Sequence, residues 1–69
     1  MAEIKIKNEY ITLTQALKEV GVISTGGQAK WYLQKNDVQV NNVIERRRGK
    51  KLYPGDTVTL EPDQILKIV

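Results

Sequence analysis

The sequence predicts a small α+β domain, with two short helices (about 13–20 and 26–35) packed on a small, mostly antiparallel sheet. Three observations predict it. Two Thr-x-x-Gln boxes, at Thr12–Gln15 and Thr25–Gln28, each open a stretch with apolar residues at helical spacing. Segments that alternate polar and apolar residues with period two lie on both sides of that helical region. The chain has only 69 residues, 41% of them hydrophobic, with no Cys and no His. One small domain fits that length, and its core must work without a disulfide or a Cys/His zinc site.

In chain order, Glu3-Ile4-Lys5-Ile6-Lys7 alternates as a half-buried strand, and its lysines suit a sheet edge. Thr12 is expected to cap the first helix, with Ile11 stapling onto Ala16. Leu13, Ala16, Leu17 and Val20 make its inward face, and Gly21 supplies a left-handed ending. Thr25 caps the second helix, which turns Ala29, Tyr32 and Leu33 inward. Asn36 stands where a left-handed residue would end it. The two helices, joined through residues 21–24, form an αα-hairpin. Val38-Gln39-Val40 and Val43-Ile44 read as strands around a tight Asn41-Asn42 turn. Residues 45–51 interrupt the sheet pattern and Leu52-Tyr53 resumes it. Pro54-Gly55 turns the chain into Asp56–Leu60, with Val58 and Leu60 inward. Glu61-Pro62-Asp63 is a further turn, and Ile65, Leu66, Ile68 and Val69 supply the last strand.

Charge is concentrated in the middle of the chain. Residues 1–29 balance Lys5, Lys7 and Lys18 against Glu3, Glu9 and Glu19. Residues 52–69 set Lys67 against Asp56, Glu61 and Asp63, a net of −2. Residues 30–51 carry Lys30, Lys35, Arg46, Arg47, Arg48, Lys50 and Lys51 against Asp37 and Glu45, a net of +5. Clustered Lys and Arg form the electrostatic footprint of a polyanion site. The plainer alternative is a solvated basic loop.

From Thr12 to Leu60 the chain resembles the RNA-binding domain named after ribosomal protein S-four, the αL motif. The residues that carry the resemblance are Leu13, Leu17, Gly21, Thr25, Ala29, Leu33, Val38, Val40, Asn41, Gly55, Asp56 and Val58. The stretches Gly-Gly-Gln-Ala-Lys, Arg-Arg-Arg-Gly-Lys-Lys-Leu and Pro-Gly-Asp are most similar to the stand-alone bacterial members of YaaA type. The resemblance implies a cytosolic protein that binds structured RNA, often ribosomal or transfer RNA, without catalysis. It also implies that helix two and the basic segment flank one groove. Three positions depart from the family pattern. Gly26 replaces an Arg, removing one expected RNA contact, while Asn36 and Asn42 replace glycines and keep the left-handed region accessible.

The candidate RNA-binding residues are Gly26, Gly27, Gln28, Lys30, Gln34, Lys35, Arg46, Arg47, Arg48, Lys50 and Lys51. Gly26 and Gly27 lack a Cβ, so a phosphate can approach the first-turn amides of helix two, with Gln28 and Lys30 beside it. The plainer alternative is that those glycines start the helix with close packing on helix one. Lys30, Gln34 and Lys35 fall on the outward side of helix two. Arg46-Arg47-Arg48 and Lys50-Lys51 are the stronger candidates, because guanidinium groups grip phosphates bidentately. Trp31 is expected in the core, with stacking on a base or an Arg as the alternative. Tyr32 and Tyr53 are expected in the core, and Tyr10 stays open. With so few exposed aromatics, recognition of folded RNA through phosphates and 2′-hydroxyls is the expected mode.

No catalytic constellation accompanies these residues, and no metal or cofactor is expected. Asp56 is expected to bond its own turn. Gly26-Gly27 lacks the remainder of a P-loop. MAEIKIKNEY has no signal-peptide run, and no stretch approaches a membrane span. The expectation is a monomeric cytoplasmic domain spanning 1–69 that binds rRNA, a ribosomal subunit or tRNA. The alternatives are a protein-interaction module whose basic loop docks an acidic partner, and sequence-tolerant DNA binding.

Overall fold

The computed structural model describes residues 2–60 and 64–69. Its elements, in order, are β1 (Ala2–Ile4), β2 (Ile11–Thr12), α1 (Leu13–Glu19), α2 (Gly26–Lys35), β3 (Gln39–Val40), β4 (Val43–Ile44), β5 (Lys51–Leu52), β6 (Thr57–Leu60) and β7 (Gln64–Ile68). Five strands form a sheet in the order β1-β7-β6-β3-β4, and β2 pairs with β5 in a separate ribbon. Only the β1–β7 pairing is parallel; the other described pairs are antiparallel. The architecture is the α+β arrangement the sequence predicts. The turn expected at Glu61-Pro62-Asp63 lies outside the described residues.

The core follows the periodicities. Leu13, Ala16 and Leu17 of α1 and Ala29 and Leu33 of α2 meet Val40, Val58, Leu60, Leu66 and Ile68 of the sheet, all buried. Ile4, Val38, Leu52 and Ile23 complete the cluster. Burying one such Leu contributes about 2 kcal/mol. Tyr32 packs against the cluster only partly buried.

Three turns take the geometry their residues require. Asn41 and Asn42 have φ of 52° and 70°, the pair of positive angles a two-residue type I′ hairpin needs between β3 and β4. Gly55 has φ of 100°, and the Asp56 amide donates to the Tyr53 carbonyl at 2.9 Å, closing a type II turn. Gly21, at φ 83°, ends α1. Its amide donates to the Lys18 carbonyl and that of Val22 to Leu17, the paired bonds of a Schellman ending.

Several expectations are corrected. The first strand stops at Ile4, although the Ile6 amide still donates to the Val69 carbonyl at 3.1 Å. Ile11 and Thr12 pair with Leu52 and Lys51, a contact no local periodicity signals across that separation. Asn36 is extended, at φ −128°, rather than left-handed. The left-handed ending is unnecessary because side chains serve the last carbonyls of α2. Asn36 Nδ2 donates to the Tyr32 carbonyl at 3.0 Å, and Arg46 Nη1 donates to that of Leu33 at 2.7 Å. Trp31 and Tyr53 are not core residues: they are 60% and 47% exposed.

Candidate nucleic-acid interface

The basic segment between β4 and β5 is fastened at several points. The Leu13 amide donates to the Lys50 carbonyl at 2.8 Å, and the Thr14 amide to the Arg48 carbonyl at 3.0 Å. Thr14 Oγ1 donates to the same Arg48 oxygen at 2.8 Å. The third amide of α1, from Gln15, goes to Thr12 Oγ1 at 3.2 Å, while Gln15 Oε1 accepts from the Thr12 amide at 3.0 Å. The first two N-terminal donors of α1, the Leu13 and Thr14 amides, which have no partner inside the helix, thus hold the loop in place.

Arg46 ties the same loop to the far end of α2. Besides its bond to Leu33, its Nη2 donates to Asp37 Oδ1 at 2.9 Å. A cation at that position also meets the negative end of the helix dipole. Arg47 pairs with Glu45, through Nε at 2.9 Å and Nη2 at 3.1 Å. The Arg47 bond holds the Glu45 carboxyl at about 2, well below its ordinary range, and Glu45 in turn raises the Arg47 guanidinium. Arg48, Lys35 and Lys50 have no salt bridge among the described residues.

A groove results between α2 and the loop, lined by Lys30, Gln34, Arg46, Arg47, Arg48 and Gly49. Of the seven cations expected around one groove, Lys30, Arg46, Arg47 and Arg48 line it and the other three do not. Lys50 and Lys51 lie on the opposite side of the loop, in a concavity shared with Val43, Tyr53 and Asp56. Lys35 is exposed and lines neither. Asp56 has the structural role expected of it. Its carboxylate accepts from the Tyr53 amide at 2.8 Å and from Asn41 Nδ2 at 3.0 Å.

At the start of α2, Gln28 is turned back on the chain. Its Oε1 accepts from the Ser24 amide at 2.6 Å and the Thr25 amide at 3.4 Å. The amides of Gly26 and Gly27 have no acceptor among the described residues. Neither glycine is forced by packing, because an added Cβ would meet Thr14 Cγ2 at 3.8 Å and Thr25 Oγ1 at 3.9 Å, ordinary contacts. Thr14 therefore adjoins both Gly26 and the Arg48 carbonyl, which sets the open amides near the basic loop.

Exposed aromatics are the feature the sequence reading missed. Lys30 Nζ lies 5.9 Å from the Trp31 ring centroid, and Lys51 Nζ lies 4.9 Å from that of Tyr10. Tyr10 and Tyr53 pack tilted, with centroids 6.0 Å apart. Trp31 lies about 160° around the helix axis from both Ala29 and Leu33. That angle was available in the spacing; the expectation of burial followed the size of the side chain instead.

Residues 4–69 match the family described as S4 domain. One curated relative is a protein of Bacillus subtilis (strain 168) named "Probable ribosome maturation protein RlbA". It is 52% identical over 58 residues, covering 84% of this chain and 82% of its own length.

Proposed function

The chain belongs to the S4 domain family, and from that premise we propose that it is a non-catalytic, monomeric, cytoplasmic protein that binds structured RNA. The RNA is ribosomal, free or within a subunit, a choice supported by the relative named as a ribosome maturation protein. The observation that carries the reading is the groove of Lys30, Gln34 and Arg46–Arg48 between α2 and the fastened loop. Of the seven cations in the 22-residue basic window, Lys30, Arg46, Arg47 and Arg48 line that groove.

The residues divide the work. Arg46 and Arg47 shape the loop through Asp37, Leu33 and Glu45, keeping exposed guanidinium edges for phosphate. Lys30 and Arg48 supply cations that no protein carboxylate neutralises among the described residues. Lys50, Lys51 and Lys35 extend the field along the backbone of a bound strand. The open amides of Gly26 and Gly27 receive a phosphate at the positive end of α2. None of these contacts reads a base edge, so recognition rests on backbone and shape.

Co-sedimentation with ribosomal subunits at low salt tests the reading. Wild type is expected in the ribosomal fraction, and the Lys30→Glu/Arg48→Glu double variant outside it. Association unaffected by that reversal rejects the groove. Full competition by duplex DNA at equal phosphate concentration would favour general polyanion binding. Capture of an acidic protein without RNA would favour the protein-interaction alternative.

A further inference from the structure

The exposed indole of Trp31 adds a kind of contact that phosphate binding does not explain. Trp is highly buried on average in folded proteins, yet 60% of Trp31 is exposed. Its neighbour one turn later, Gln34, lines the cationic groove, as does the adjacent Lys30. One turn earlier on the same row stands Gly27, which has no side chain to cover the ring. The ring sits on a helix whose far end is held by Arg46, so it is a fixed platform rather than a loop side chain. The surroundings are cationic: Lys30 near the ring, Lys35 one turn on, and the arginines across the groove.

A flat aromatic face beside a row of cations has a specific chemical match. A nucleobase stacks on the indole while its own phosphates reach the cations. A base inside a continuous duplex has both faces covered and cannot do this. We propose that Trp31 stacks on an unpaired base, so that the ligand class of the groove is folded RNA with a splayed or looped-out nucleotide next to a helical stem. This rests on the RNA reading above and deepens it, since it adds a contact that favours unpaired over fully paired RNA.

Trp31 is the only tryptophan of the chain, so its emission reports the contact directly. The test uses two RNAs with equal numbers of phosphates, a hairpin with an unpaired loop and a blunt duplex. Saturating hairpin is expected to quench Trp31 emission. Trp31→Ala is expected to weaken hairpin binding by about tenfold and duplex binding by less than about twofold, with Trp31→Phe recovering most of the loss. The thermal midpoint of Trp31→Ala should match wild type, because the ring is outside the core. Emission unmoved at saturation, no loss in Trp31→Ala, or an equal loss on both RNAs overturns the proposal. Failure of the wild type to bind either RNA at low salt instead rejects the RNA reading itself, and stacking with it.

Discussion

The two helices begin with the same four-residue grammar and are used in opposite ways. At α1, Thr12 and Gln15 exchange bonds, and the Leu13 and Thr14 amides are taken by the carbonyls of Lys50 and Arg48. At α2, Gln28 turns back to Ser24 and Thr25, while Gly26 and Gly27 keep their amides open among the described residues. The two helices differ again where they end. Gly21 closes α1 with its own backbone, whereas α2 is closed by the Asn36 side chain and by Arg46, sent from the basic loop. One helix start is therefore a fastener for the loop, and the other is a free surface beside it. The same capping motif marks where a helix begins without saying which other groups will use its amides.

That contrast is open to direct attack, beginning with the fastened side. Combining Thr12→Ala with Thr14→Ala removes a cap and the hydroxyl bond to Arg48, and should cost about 2 kcal/mol of unfolding free energy. In a chain of this size total stability is about 3–10 kcal/mol, so denaturant titration will resolve the change clearly. The proposed RNA affinity should fall as well, because the loop loses its anchor. Arg46→Ala is the next largest, at about 1–2 kcal/mol, since the Leu33 carbonyl and Asp37 both lose their bond to the Arg46 guanidinium. Arg46→Lys should recover only part of that loss, because one ammonium does not span both acceptors as the guanidinium does.

The open side predicts the reverse pattern. Gly27→Leu should leave the unfolding midpoint nearly unchanged, because the position is exposed and an added Cβ makes only an ordinary contact with Thr25 Oγ1. RNA affinity should nonetheless drop about two- to fivefold, the scale of an anion at a helix terminus. Unchanged affinity would leave the amides of α2 without a role in binding. The smallest effect concerns acid. The carboxyl of Glu45, held at about 2 by Arg47, has a folded value below its unfolded one. Its contribution is complete above the ordinary carboxylate range and is lost as pH falls through about 2. Because Arg47 is mostly exposed, the contribution is small. Glu45→Gln should flatten stability slightly between about pH 4.5 and 2 in pH-dependent unfolding.

The parts of the fold legible in the sequence are those set by local chemistry. The bounds of α2, the Asn41-Asn42 turn, the glycine ending of α1 and the self-bonding of Asp56 all depend on residues within a few positions of one another. The parts that were not legible depend on distant partners. Ile11 and Thr12 became a strand because Lys51 and Leu52 lie alongside. Asn36 stayed extended because Arg46 and its own amide served the carbonyls that a left-handed residue would have served. The candidate site shows the same division. The cluster of cations was visible as a charge window, but which arginines are already bonded within the protein, and which lysines face away, depends on loop anchoring. Trp31 was misplaced for a different reason, since its angle on the helix pointed outward and its size suggested otherwise.

The salt dependence of RNA binding tests the central claim most directly. If the groove and its flanks neutralise about five phosphates, log K should fall against log salt with a slope of roughly −3.5 to −4.5. The Lys30→Glu/Arg48→Glu variant should show a distinctly shallower slope. A wild-type slope near zero, or one that the reversal leaves unchanged, would contradict binding through this groove.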